Sequence, residues 1–389
     1  MVPRSSRWIL VLGALLALVV GLSACGSGSS STSSGGGGSS STSSEEGGEA
    51  SAGVEEAKKD FAKFQEGIGL PSITPLGKPL PENVSVDIVS CNTTGCEPTP
   101  ALIAGKIAGL LGWKVKVIKV DSGNPVEIKS GMEQAVRDSP SAVIYFGLEP
   151  TQVAAGVKEL NSKEIPVIGL QGVLKEGEET PLYVQMPANE GNELLAQMLA
   201  AGVVAETNGE ANVGLVSIPV FPVYKEVVAP AFKEWVGKYC ESCAVEQYDL
   251  PVSSLGTNSA SLISNFLQAH PDINSAALLQ GGMANGLYAA MSGAGLQERV
   301  SIYQGYVNPE NLPEIAEGKI KFGVPDPNNE IAYITADTLL RMLTGQSIKP
   351  DQEANPGIVW TQENVPDGEG DQPDVVPGLE GIFKKAWGV

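Results

Sequence analysis

From Val84 onward, short β-branched runs alternate with segments of helical periodicity, and the alternation runs through twice. The runs at 84–89, 115–120, 142–146 and 167–170 predict strands, and 100–111, 125–137 and 151–161 predict the helices between them. In the helix over 125–137, Ile128, Met132 and Val136 share one face. After a long helix over 189–204 the pattern restarts, with strands at 213–218, 245–248, 276–279, 301–303 and 321–324. The helices of this second half fall at 224–239, 257–268, 283–294, 309–317 and 329–343. Strands joined by crossover helices pair in parallel. Two successive units of this kind predict an α/β chain of two similar doubly wound parallel-sheet lobes with a cleft between them. Ligands of open α/β sheets bind outside the carboxyl ends of the strands. Three helix starts follow strand ends there, at Thr99-Pro100, Asn124-Pro125 and Asn308-Pro309, each a capping side chain before a proline suited to the first helical turn.

The chain opens differently. Arg4 and Arg7 precede an apolar run from Trp8 to Val20, and Leu22-Ser23-Ala24-Cys25 then leads into glycine and serine. The run is short for a bilayer span, and its basic flank and small-residue exit are those of a cleaved export signal over residues 1–24. The four residues ending at Cys25 resemble a bacterial lipobox, which implies a diacylglyceryl group on the Cys25 thiol and anchoring on the outer face of a membrane without crossing it. Residues 26–44 are almost wholly Gly, Ser and Thr, and acidic residues follow at Glu45, Glu46, Glu49, Glu55 and Glu56. Such a composition predicts a flexible tether over 25–60, with a root-mean-square reach on the order of 30 Å.

The formal net charge is −20, and loss of residues 1–24, which hold two arginines and no acid, leaves −22. That balance excludes nucleic acid as an expected partner, since phosphate binding needs a basic footprint. Beyond Cys25 the cysteines come in two close pairs, Cys91 with Cys96 and Cys240 with Cys243. An even number in an exported chain favours disulfides, and within-pair bridges are the simplest of three connectivities. A redox role for Cys240-Glu241-Ser242-Cys243 is the sharper alternative, but the motif ends a predicted helix, where the dipole and Glu241 hold a thiol pKa up. A four-cysteine zinc site would need both pairs to converge.

Catalytic chemistry is hard to assemble. His270 is the one histidine and reads as a surface helix end, so a multi-histidine metal centre is impossible. Neither GxGxxG after the first strand nor GxxxxGK[ST] occurs. Paired carboxylates such as Asp326 and Glu330 read as solvated or capping groups, and the acidic stretch 367–371 reads as a loop without EF-hand spacing. The expectation is a binding protein with no cofactor and no metal.

Several segments carry a family resemblance: Ser90-Cys91-Asn92-Thr93-Thr94 after the first strand, Leu111-Gly112-Trp113, Ile165-Pro166-Val167-Ile168, Ala269-His270-Pro271-Asp272-Ile273, Asn308-Pro309-Glu310 and Gly318-Lys319-Ile320. In this order, over about residues 82–350, they resemble the ribose/galactose class of periplasmic substrate-binding proteins. The resemblance implies a type I periplasmic-binding fold with a three-crossing hinge, a monomer that closes on a small-molecule solute and delivers it to an ABC permease. It divides the chain into an N-terminal lobe of 82–187 plus 327–350 and a C-terminal lobe of 188–326 plus 351–389. DNA-binding repressors share this body, but here a helix-turn-helix is absent and an export signal present.

Carried over by position, the resemblance assigns the solute to Ser90, Asn92, Thr93, Thr94, Phe146, Glu149, Gln171, Tyr224, Gln280, Tyr306 and Asp326. Cys96 and Glu97 fall where stacking aromatics are expected, Gln171-Gly172 replaces an Asp-Arg pair, and Gln280-Gly281 replaces an Asn-Asp pair. Tyr306 stands for an aspartate, Asp326 for a glutamine, and Lys225 is the only cation where an arginine is expected. Sugars are held by bidentate charged groups and stacked rings, so this exchange toward amides, hydroxyls and aromatics suits a less hydroxylated or aromatic solute. A Cys91–Cys96 bridge would stiffen the cleft loop. Two other classes stay open: a receptor presenting its solute to a membrane kinase or chemoreceptor, and an exported thiol oxidoreductase.

Overall fold

The computed structural model describes residues 46–92, 96–173, 180, 182–186, 189–348, 356–367 and 372–389, all within the compact unit Glu45–Val389. Cys25, Thr93, Thr94 and most of the acidic loop lie outside the described residues.

The first lobe is built on a five-stranded parallel sheet in the order β2-β1-β3-β4-β5. Its strands are β1 (Ser85–Cys91), β2 (Lys114–Val120), β3 (Ala142–Phe146), β4 (Val167–Leu170) and β5 (Tyr183–Met186). β1 and β3 are buried almost throughout, as central parallel strands covered on both faces must be. Their register sets Val86 opposite Ala142 and Ser90 opposite Phe146. Helices α2 (Pro98–Leu102), α3 (Ala108–Leu111), α4 (Pro125–Asp138) and α5 (Pro150–Ser162) make the crossovers. Asn124 caps α4 as expected, its Oδ1 accepting the amides of Val126 and Glu127. Thr99 does not cap α2; the helix starts at Pro98, two residues earlier than expected, and the Thr99 hydroxyl donates instead to Asn328 Oδ1 at 2.7 Å.

The second lobe carries α6 (Asn189–Glu206), β6 (Asn212–Ser217), α7 (Ala229–Tyr239), β7 (Ala244–Asp249), α8 (Ser259–Ala269) and β8 (Ser275–Leu278). It continues with α9 (Leu287–Gly293), β9 (Ser301–Val307), α10 (Leu312–Ala316) and β10 (Phe322–Pro325). Its sheet runs β11-β10-β9-β8-β6-β7, where the short β11 (Trp360–Thr361) pairs antiparallel and the rest pair parallel. The chain returns to the first lobe through α11 (Asn328–Leu343). Among the described residues no helix is long and apolar enough to cross a membrane.

The ends of the chain depart from the sequence reading. Residues 46–60, read as tether, belong to a 21-residue helix, α1 (Glu46–Glu66). Val54, Ala57, Phe61 and Phe64 fall at helical spacing and enter the second-lobe core, where Phe61 lies 5.1 Å from Phe322 between ring centroids. The Asp60 carboxylate accepts the Tyr239 hydroxyl at 2.6 Å, which fixes the helix against α7. At the other end, α12 (Leu379–Trp387) packs on the first lobe, not the second: Leu379, Phe383 and Trp387 are buried with Tyr333 of α11, whose ring stacks 5.3 Å from Phe383. Two further crossings therefore join the three expected, one between Ile68 and Leu70 and one between Val365 and Val376.

Glu330 holds the last of these crossings. Its side chain is fully buried on α11, and its carboxylate accepts the Val376 amide at 2.8 Å. Burial pushes the carboxyl up to about 7, only partly offset by that amide, with Asp374 adding to the push. The folded state thus binds this proton more tightly than the unfolded chain. Its stabilisation is complete below the ordinary glutamate value and is lost as pH rises through about 7. In denaturant titrations, wild type relative to Glu330→Gln is expected to lose about 3 kcal/mol between pH 4 and pH 8.

Candidate functional site

A cavity of about 300 Å3 opens between the lobes, at the carboxyl ends of both sheets. Its position follows from the strand orders, which reverse direction at β1/β3 in the first lobe and at β6/β8 in the second. The loop after β1 contributes Asn92, the loop after β3 Gly147 and Glu149, and the end of β4 Gln171. From the second lobe come Phe221 and Tyr224 after β6, Gln280 after β8, and Tyr306 with Asn308 at the end of β9. Asp326 and Asn328 lie on the crossing between β10 and α11. Val223, Val252, Leu255 and Pro98 add apolar surface.

Local geometry at the rim is unusual in ways that serve the site. Gln171 and Tyr306 have φ of 59° and 50°, a left-handed conformation that costs a non-glycine residue roughly 1–2 kcal/mol and persists only where the surroundings impose it. The Tyr306 twist coincides with a register shift between β9 and β10 at Val324/Pro325, and the Tyr306 hydroxyl donates to Asn192 of α6. The first crossover of each lobe contains a π-helical turn, Ile103–Ile107 and Val223–Val228, the second carrying Tyr224. Such turns recur at functional sites. Gly147 has φ of 66°, and a Cβ there would lie 2.3 Å from Cys91 Sγ, so only glycine lets this loop pass. A Cβ on Gly281 would sit 2.6 Å from Asn308, which keeps that turn against the β9 end.

The electrostatics are one-sided. Asp326 Oδ2 accepts Gln171 Nε2 at 3.1 Å, linking the hinge crossing to the first lobe. Burial pushes the Asp326 carboxyl up to about 6, with the Gln171 and Asn328 hydrogen bonds opposing. Burial also raises Glu149, against the pull of the Val173 amide that it accepts, and Glu226 raises it further. The hydroxyls of Tyr224 and Tyr306 are held above the usual phenol value by burial first; Asp326 adds to both, and Tyr224 adds to Tyr306.

Of the expected solute residues, Asn92, Glu149, Gln171, Tyr224, Gln280, Tyr306 and Asp326 line this one cavity. Ser90 and Phe146 do not. The Ser90 hydroxyl donates to the carbonyls of Cys91 and Cys96, bracing the loop from below, and Phe146 is wholly buried in the first-lobe core. Asp326 and Glu330 are neither solvated nor capping: one lines the cavity and the other clasps the C-terminal segment. The structure brings Cys91 to Cys96 and Cys240 to Cys243 as disulfide partners, and the first pair lines the cavity. His270 ends α8 on the surface, 2.9 Å from Glu246. Sequence reasoning missed Phe221, Val223, Val252 and Leu255. Phe221 was within reach of it, three residues past the strand that ends at Ile218 in the predicted pattern, and Val252 follows the end of β7 at Asp249 by the same interval.

The family model of the periplasmic binding protein domain matches residues 104–347, well over half of the chain. The chain belongs to the periplasmic binding protein family. No curated relative matches it in sequence. Among solved structures it is similar to a glucose-galactose binding protein from Geobacillus stearothermophilus, with TM-score 0.62 and 16% identity over 74% of this chain and 100% of that one. It is also similar to a 5-methylthioribose transporter solute binding protein from Thermotoga lettingae, with TM-score 0.63 and 14% identity over 78% and 100%. An ABC sugar transporter subunit from Rhodobacter sphaeroides matches with TM-score 0.59 and 18% identity over 72% and 99%. At these identities the likeness establishes the type I fold of two α/β lobes. A periplasmic binding protein is a solute-binding body.

Proposed function

We propose that this periplasmic binding protein is a lipid-anchored, extracytoplasmic receptor that closes on a small organic solute and delivers it to an ABC importer. The observation that carries the reading is the convergence of side chains from both lobes and the hinge crossing on one cavity, with Gln171 already bonded to Asp326. A site assembled from two bodies is completed only when they approach, so the solute's binding energy drives closure. The importer reads the closed form. Anchoring rests on the lipobox-like residues ending at Cys25 and the Gly/Ser stretch after it. The related structures from sugar and methylthioribose transport support a solute of similar size, and the aromatic and amide lining supports one with fewer hydroxyls than a hexose.

The test is a thermal-shift panel of sugars, polyols, nucleosides, amino acids, amines and small aromatic acids on the full-length protein in detergent, with X-ray scattering on any hit. A ligand at a hundred times its Kd stabilises by about 2.7 kcal/mol, and the scattering radius should contract. Cys25→Ser should release the protein to the medium and leave the shift unchanged. An entire panel without stabilisation or contraction would count decisively against a solute receptor.

A further inference from the structure

The cavity carries charge of one sign. Among the described residues that line it, Glu149 and Asp326 are the charged side chains, and no lysine or arginine reaches it; Lys225 of the neighbouring π-helical turn is exposed. The groups turned toward Asp326 are Gln171 from the end of β4, Asn328 from α11, Tyr224 after β6 and Tyr306 from β9, and none is cationic. Glu149 faces the Val173 amide and, further off, Glu226. Closing over two carboxylates strips their water, and the protein offers in its place only neutral donors, Gln171 and Asn328 to Asp326 and the Val173 amide to Glu149, with no cation to pair either charge; a buried charge without a countercharge is strongly disfavoured. A neutral polyol can donate hydroxyls to these carboxylates but leaves their charge unpaired. A solute of the opposite charge supplies the missing pairing.

The opposite wall is built for such a charge. Phe221 and Tyr224 meet edge to face at 88° with centroids 6.0 Å apart, and Tyr224 and Tyr306 meet at 78° and 5.3 Å. Rings set at right angles can turn more than one negative face toward a single cation, which those faces attract. Gln280, 7% exposed, lines the same cavity with its Oε1 unpartnered, a buried acceptor waiting for a donor. Val223, Val252, Leu255 and Pro98 supply a surface for an apolar body rather than for a ring of hydroxyls.

We propose that the solute of this cleft is a small organic cation, an amine or quaternary ammonium on a compact apolar body, held between the Glu149 and Asp326 carboxylates and the rings of Phe221, Tyr224 and Tyr306. This rests on the solute-receptor reading and narrows it.

The test is titration calorimetry on the full-length protein in detergent with choline, phenethylamine and putrescine. Each is set beside a neutral counterpart, 3,3-dimethylbutan-1-ol, 2-phenylethanol and butane-1,4-diol, and glucose is the hydroxylated control. At least one cation should bind a hundredfold or more tighter than its counterpart and lose at least thirtyfold in the Glu149→Gln/Asp326→Asn double variant. A second readout needs no variant. With the Asp326 carboxyl near 6, protonation competes with the cation, so wild-type affinity should be about tenfold weaker at pH 5 than at pH 7. Silence with all three cations, equal binding of a cation and its counterpart, or a cation affinity flat from pH 5 to pH 7 overturns the proposal. If glucose or a neutral counterpart binds while the cations are silent, the cation proposal falls and the solute-receptor reading stands. If the broad panel is silent as well, both fall.

Discussion

Replacing Asp337 with alanine should destabilise the first lobe by about 3–5 kcal/mol, the cost of leaving a buried charge unpaired. Asp337 and Arg341 sit one turn apart on α11 and are almost fully buried, with Arg341 Nε donating to Asp337 Oδ2 at 2.8 Å. Asp337 Oδ1 also accepts Trp387 Nε1 at 3.0 Å, while Arg341 donates to the Thr74 carbonyl. One carboxylate therefore joins three parts of the chain that are far apart in sequence: the entry to the first lobe near residue 74, the helix that leaves the hinge, and the C-terminal helix. Removing it orphans the guanidinium and the indole N–H together. Asp337→Asn keeps acceptor oxygen for the indole and should cost less, and an Asp337→Leu/Arg341→Leu variant should recover most of the loss, because a buried pair exchanged for apolar groups of similar volume is close to neutral. Urea unfolding followed by tryptophan fluorescence reports this lobe through Trp113 and Trp387 of its core, and Trp235→Phe and Trp360→Phe substitutions in the background remove the second-lobe signal. Equal losses in the single and double variants would show that the pair matters only through packing.

The same network explains what could be read from the sequence and what could not. The central strands were legible because parallel strands buried on both faces are written as β-branched runs, and β1, β3, β4, β6 and β8 all fall within two residues of their expected places. β5 was not, since Tyr183–Met186 is short and includes Gln185, and it is ordered by its pairing with β4 rather than by its own pattern. In α1, a Gly- and Glu-rich first turn conceals the apolar spacing of Val54, Ala57, Phe61 and Phe64, and the helix owes its place to the second-lobe core it covers. The apolar residues of α12 were visible, but their lobe was not: that is decided by Asp337 and Tyr333, more than forty positions away. For the cleft, the family resemblance carried over by position named seven of the lining residues. It could not tell that Ser90 turns to the Cys96 carbonyl or that Phe146 turns into the core, because the twist of a strand end depends on what packs behind it.

Tyr306 is where that dependence bears most on binding. Its ring closes the cavity beside Tyr224, its residue is 9% exposed, and its backbone is held at φ 50°. Tyr306→Ala should weaken the tightest-binding solute of the panel 30- to 100-fold, about 2–3 kcal/mol, the range of a buried aromatic anchor. Tyr306→Phe keeps the ring and loses only the hydrogen bond to Asn192, so its loss should stay within about tenfold. A third variant separates binding from folding. Glycine accepts a positive φ without strain, so Tyr306→Gly should be more stable than Tyr306→Ala by about 1 kcal/mol while binding no better. Calorimetry and thermal melts on the three variants give both quantities. If affinity instead follows stability across the series, the ring acts by holding β9 in place. If alanine and glycine bind equally weakly despite different melting temperatures, Tyr306 contacts the solute, and the left-handed turn at the end of β9 is retained because it aims that ring into the cleft.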